Sequence, residues 1–171
     1  MERPFWSNEA NQKVVDYVRG KILELSGCSA LSWLPVHVID LAEDGYITPH
    51  VDSIKFSGGL VCGVSLLSPA VMTLRPAPHE DSDHVVEKND FDDSCVRLYL
   101  PPRSLYVLCG NARYDFTHSV DSGFGADSPR GSTSKKEVRM TIKDAKGALG
   151  EDYHRARRIS LIFRDEKPAE V

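Results

Sequence analysis

The sequence predicts a mainly β domain, a sandwich or, in the reading we adopt, a double-stranded β-helix (jelly roll), with a supporting α-helix at its N-terminus. The change of hydrophobic period from helical to two and the punctuation between apolar runs predict it. From Ser7 to Gly27 the apolar residues Val14, Val15, Val18, Ile22 and Leu25 recur at helical spacing, after a polar Ser/Asn start and before a Gly stop. After Pro35 the period falls to two. Short β-rich runs follow at Val36–Leu41, Tyr46–Phe56, Leu60–Leu67, Ala70–Leu74, Cys95–Leu100, Ser104–Leu108 and Arg158–Arg164, separated by Gly, Pro, Asn and Asp. Ser57-Gly58-Gly59 and Pro101-Pro102-Arg103 read as turns, and neither as a linker.

With 171 residues, 41% apolar and 27% charged, the chain is expected to form one domain over 1–171. The formal charge of −4 leaves no large basic surface for duplex phosphates. No window is apolar enough to span a membrane, and Met1-Glu2-Arg3-Pro4-Phe5 lacks the features of a secretory or transit segment. Cys28, Cys62, Cys95 and Cys109 form no Cys-x-x-Cys pair, which suggests a reducing, intracellular setting and no zinc knuckle. A monomer is the expected state.

Two stretches stand apart. Residues 79–93 carry seven carboxylates against one lysine, the composition of a solvated loop. Residues 121–153, rich in Ser, Gly, Lys and Asp, are too long for an ordinary connection and read as an insertion into a core of about 34–164.

His-x-Asp on a strand offers two metal ligands on one face, because side chains alternate. The motif alone is weak: with six His and fifteen Asp, chance gives about half an occurrence, and the chain has two. His50-Val51-Asp52 lies in apolar alternation, where a packed surround can hold a ligand rigid. His79-Glu80-Asp81 lies in the acidic loop and reads as a decoy. A third ligand must come from a distant strand. His84 and His154 fall in polar segments, which leaves His37 and His118; in a jelly roll the strand ending at His118 lies back across the first hook.

At the end of the core, Arg158, Ser160, Ile162 and Arg164 share one face by alternation. Two guanidinium groups and a hydroxyl thus point where apolar residues belong, and a buried arginine needs an anion. The alternative is that both arginines sit at strand ends and pair with surface carboxylates.

These residues resemble the AlkB-like branch of the iron(II)- and 2-oxoglutarate-dependent dioxygenases, whose pattern is His-x-Asp, a distal His, then Arg-x5-Arg on one strand. The elements stand here as His50-Val51-Asp52, His118 and Arg158…Arg164. The runs Gly45–Phe56, Ser65–Pro69, Ser104–Tyr106 and Ala112–His118 are more similar still to the family's seventh, mitochondrial branch, and the likeness spans about 34–164. The resemblance implies Fe(II) held by His50, Asp52 and His118, with 2-oxoglutarate and O₂ as cosubstrates and a mitochondrial place in the cell.

On that reading Arg158, with Ser160, takes the far carboxylate of 2-oxoglutarate. Arg164 lies about 20 Å further along at about 3.3 Å per residue, nearer the iron, orienting Asp52 or the nearer carboxylate. Tyr106 supplies a phenol to the same cosubstrate. Ile39 and Leu41 stand where the family's bacterial prototype has Asn and Tyr; His37 shares their parity and either replaces those contacts or is structural. The implied reaction couples oxidative decarboxylation of 2-oxoglutarate to succinate with hydroxylation or oxidative demethylation. A protein or small-molecule substrate is favoured over duplex DNA, since little chain precedes His50 to build a base-flipping lid. An RNA or DNA N-demethylase and a non-catalytic jelly-roll binding module are the rival readings.

Overall fold

Asn8 starts the first helix and Gly27 stops it. The Asn8 side chain accepts from the N–H groups of Ala10 and Asn11 at 2.9 and 3.4 Å, partners that first-turn N–H groups otherwise lack. Gly27 follows in the left-handed region at φ 71°. Between these caps, in a computed structural model that describes residues 2–3, 6–78, 95–122 and 155–167, helix α1 runs over Glu9–Ser26. Val15 and Ile22 form its buried line. Val14 and Leu25, expected on the same stripe, are 55% and 65% exposed because they lie about a quarter-turn away at 100° per residue.

The strands are β1 (Glu2–Arg3), β2 (Val36–Leu41), β3 (Ile47–His50), β4 (Ser57–Leu67), β5 (Ala70–Pro76), β6 (Val96–Leu100), β7 (Leu105–Leu108), β8 (Phe116–Val120) and β9 (Arg158–Glu166), with a one-turn helix α2 at Asn111–Tyr114. Two antiparallel sheets result, one in the order β1-β2-β9-β4-β7 and the other β3-β8-β5-β6. From β2 to β9 the chain passes back and forth between them, only β5 and β6 being consecutive in one sheet, which is the winding of a jelly roll.

The core between the sheets joins Val61, Leu108 and Ile162 to Ala70, Met72, Leu74, Leu100 and Val120. On the outer face of the larger sheet, Val15 and Ile22 of α1 pack against Leu60, Cys62, Val64 and Phe163, with Trp33 edge-on to Phe163 at 6.4 Å. Burying a side chain such as Phe163 or Ile22 contributes about 1.5–3 kcal/mol. Strand β4 is therefore covered on both faces, and its residues read as a nearly continuous apolar run. All four cysteines are free thiols, and burial pushes that of Cys62 up to about 12.

Two expected boundaries are corrected. The run Tyr46–Phe56 is not one strand: β3 ends at His50, and the chain turns so that Ser53 O accepts from both the N–H and the hydroxyl of Ser57. Ser57-Gly58-Gly59 is not a turn but the start of β4, at an irregularity where Ser57 pairs with Glu166 and Val61 with Arg164. The buried Asp165 carboxylate fills the break, accepting from the N–H groups of Gly59 and Leu60 at 3.0 and 2.8 Å. A Cβ on Gly58 would collide with that carboxylate, so glycine is required there by close approach. The Pro101-Pro102-Arg103 turn is present between β6 and β7.

The acidic run 79–93, with His79, Asp81 and His84, lies outside the described residues; so do His154 and all of 121–153 beyond Ser122. Among the described residues no helix is long and apolar enough to cross a membrane.

Candidate metal centre and anion pocket

Strands β3 and β8 bring the two histidines together. Ile47 pairs with Val120 and His50 with His118, so β3 carries one residue more than β8 across that interval. Pro49, which cannot donate to a ladder, falls within this irregularity. The imidazoles of His50 and His118 lie with centroids 4.3 Å apart. His50 Nδ1–H donates to Thr48 O at 2.8 Å, which turns Nε2 toward Asp52 Oδ1 at 3.6 Å. Asp52 reaches its place from the loop after β3, not by strand alternation from His50.

One ligand atom from each of His50, Asp52 and His118 lies within 4.8 Å of the others, and all three residues are partly buried. Two imidazoles and a carboxylate in this disposition could hold a divalent ion, and they are the donor set of a non-haem iron face. Their electrostatics fit. The hydrogen bond to Asp52 raises His50 above its ordinary range. Burial, with the neighbouring His50, pushes His118 down to about 4, so it is a neutral imidazole. Burial pushes Asp52 up, but the His50 hydrogen bond and the adjacent His118 outweigh this and hold it below the usual carboxylate range. Of the two imidazoles, His50 is the one whose protonated form is favoured, so a metal ion there competes with a proton.

The second cluster lies on the inner face of the larger sheet. Arg158 is 1% exposed; its Nε–H donates to Ser65 Oγ at 3.0 Å and one terminal nitrogen to Ser160 Oγ at 3.4 Å. Ser65, which the sequence pattern did not single out, is brought there as the cross-strand partner of Ser160. Among the described residues no carboxylate pairs with Arg158. Burial lowers its pKa, yet a guanidinium remains charged. An unpaired buried cation is costly, and the chemistry of this pocket fits a carboxylate. Tyr106 lies opposite Gly63, hydrogen-bonds Ser160, and feels the charges of both Arg158 and Asp52; desolvation pushes its phenol up to about 12. The phenol thus connects the anion pocket with the His-Asp-His face.

Two further expected residues lie at the edge of this face. Arg164 is in electrostatic reach of Asp52, but its guanidinium hydrogen-bonds the Glu2 carboxylate at 2.8 Å. Glu2 arrives because β1 pairs with β2 beside β9, a contact between residues 162 positions apart that no local pattern announces. His37 shares the inner face with Ile39 and Leu41, opposite Ile162; burial lowers its pKa, and it feels Arg164, Glu2 and Asp52 without touching the metal face.

Two arginines with no predicted role are also buried. Arg113 of α2 holds the loop carrying Asp52, donating to Asp52 O at 3.0 Å, Ser53 O at 3.3 Å and Ser57 Oγ at 2.8 Å. Arg155 donates to the carbonyls of Ala42, Glu43 and Gly45 in the loop before β3. The hook is therefore held from both sides by guanidinium groups on backbone oxygens.

No family model matches the chain. Two relatives, each named alpha-ketoglutarate-dependent dioxygenase alkB homolog 7, mitochondrial, from Mus musculus and Bos taurus, are 42% identical over 164 residues, 95% of this chain. The chain spans 58% of the length of each. An alkylated DNA repair protein ALKBH8 homolog of Arabidopsis thaliana is 34% identical over 79 residues, 43% of this chain and 22% of that protein. The likeness covers the jelly roll, both ligand-bearing segments and the arginine strand together, and by it the chain is similar to the AlkB-like 2-oxoglutarate-dependent dioxygenases.

Proposed function

We propose that this chain is an Fe(II)- and 2-oxoglutarate-dependent dioxygenase in which His50, Asp52 and His118 hold the metal and Arg158 holds the far carboxylate of the cosubstrate. The observation that carries it is the buried Arg158, set between two serine hydroxyls and lacking an anion among the described residues, on the same inner face as Tyr106. When bound, iron supplies O₂ activation and the oxidation of a substrate C–H bond, coupled to conversion of 2-oxoglutarate to succinate and CO₂. The chain's own groups do the rest. Thr48 O fixes the His50 tautomer so that Nε2 faces the metal. Ser65 and Ser160 aim the Arg158 fork, and the Tyr106 hydroxyl orients the cosubstrate between arginine and metal. The apolar core around Met72, Val120 and Ile162 excludes water from the floor of the site.

The domain we assign is 1–171 with its core at 34–164. We favour a protein or small-molecule substrate, hydroxylated or demethylated, in the mitochondrion named for the two relatives. The net charge of −4 gives duplex phosphates little purchase. A binding module without catalysis would leave the Arg158 charge buried to no purpose.

The test is anaerobic absorption. Fe(II) and 2-oxoglutarate added together produce a weak visible charge-transfer band, absent with either alone. His50→Ala abolishes the band and stoichiometric iron binding, while His79→Ala keeps both. No band in the wild type removes the proposal, and loss on His79→Ala alone moves the metal to the other His-x-Asp.

A further inference from the structure

Asp52 stands on no strand. The β3–β8 ladder ends at His50, two residues before it, so hydrogen bonding between strands does not fix where its carboxylate points. What reaches this stretch is Arg113. Arg113 is 2% exposed, and its guanidinium spreads its fork over three oxygens, Asp52 O, Ser53 O and Ser57 Oγ. All three are neutral, so the side chain is committed to shaping the backbone rather than to neutralising a charge. Ser57 itself ties back to Ser53 O, closing the turn that the guanidinium caps.

Arg113 also belongs to the other half of the face. It sits in α2, whose end at Tyr114 leads through Asp115 into β8 and on to His118, five residues after Arg113 itself. A single side chain therefore links the segment carrying Asp52 to the segment carrying His118 across 61 residues of sequence. We propose that Arg113 is a positioning residue that sets the Asp52 carboxylate against His50 and His118, and so sets how tightly that face holds a divalent metal ion. This rests on the metal reading of His50, Asp52 and His118.

Arginine suits the task because a rigid planar fork can serve three diverging acceptors at once. A lysine ammonium keeps the charge but offers donors from one point, and glutamine loses the reach. Hydrogen bonds that orient metal ligands from behind are typically worth 10–100-fold in metal affinity.

The experiment is titration of the metal-free full-length chain with Co(II), followed by its visible d–d spectrum, for wild type, Arg113→Lys, Arg113→Gln, Ser57→Ala and His50→Ala, each with its thermal midpoint. We expect Arg113→Gln to bind about 10–100-fold more weakly with an altered spectrum, Arg113→Lys to recover part of the affinity, and the folded Ser57→Ala to lose severalfold. A role confined to stability would lower the midpoints and leave affinity and spectrum of the folded variants alone, and that result overturns the proposal. If Arg113→Gln does not fold, wild-type affinity in both Arg113→Lys and Ser57→Ala overturns it as well. Failure of the underlying metal reading has a different signature, equal binding by wild type and His50→Ala, and takes this proposal with it.

Discussion

His50 and His118 are direct cross-strand partners on β3 and β8, yet their rings are driven in opposite electrostatic directions. His50 keeps a hydrogen bond to Asp52 and is raised; His118, more deeply desolvated and facing His50, is pushed down to about 4. The charge of His50 widens the difference by disfavouring a second one on His118, since two imidazoles 4.3 Å apart do not readily share two positive charges.

This asymmetry predicts the pH dependence of metal binding. A metal ion must displace any proton on its ligands. With His50 raised above its ordinary value, a proton competes for it at higher pH than for a free imidazole, so affinity falls with falling pH toward the one-proton limit of about tenfold per pH unit. His118 adds nothing until pH approaches 4, where the slope steepens. Co(II) titrations between pH 8 and pH 5 check this. A slope of two protons near pH 6 would mean that both histidines titrate normally and that the burial of His118 is without electrostatic effect.

The anion pocket predicts a separation of cosubstrate from metal. Replacing Arg158 by Ala removes a charge-assisted partner worth about 1.5–3 kcal/mol, so 2-oxoglutarate affinity falls by about 10–150-fold while Co(II) binding persists. Arg158→Lys restores little, because the ammonium cannot hold Ser65, Ser160 and a carboxylate in one plane. Calorimetric titration of each variant with 2-oxoglutarate is the measurement, and unchanged affinity in both removes Arg158 from the site.

The parts of this molecule legible in the sequence are those encoded locally. The caps of α1, the alternation of β2, β5, β6 and β7, and the inward parity of Arg158 and Ser160 all repeat within a few residues. His50, Asp52 and His118 were legible as a set through the order of motifs, although the reason given for Asp52, strand alternation from His50, is not how the fold places it. What stayed hidden depends on contacts distant in sequence. Arg113 to Asp52, Arg155 to Ala42 and Arg164 to Glu2 join segments 61, 113 and 162 residues apart, and an arginine that caps carbonyls leaves no periodic trace. Ser57-Gly58-Gly59 misled for a related reason: glycines usually punctuate turns, but here they admit the carboxylate of Asp165 from β9.

Gly63 shows the same logic at the cosubstrate pocket and yields the last prediction. It faces Tyr106 across the β4–β7 ladder, and a Cβ at this position would run into the phenol end of the ring. In an ordinary strand Gly→Ala stabilises by restricting the unfolded chain. Here the ring must move, and overpacking of this kind costs about 1–3 kcal/mol. Gly63→Ala should therefore lower the thermal midpoint and, by shifting the hydroxyl off Ser160, weaken 2-oxoglutarate binding, while Tyr106→Phe weakens binding with less effect on stability. Because the two residues touch, the double variant Gly63→Ala/Tyr106→Ala should be less destabilised than the sum of the single variants. Strict additivity in thermal or denaturant unfolding would show that the ring has room to spare and that glycine is not needed to seat it.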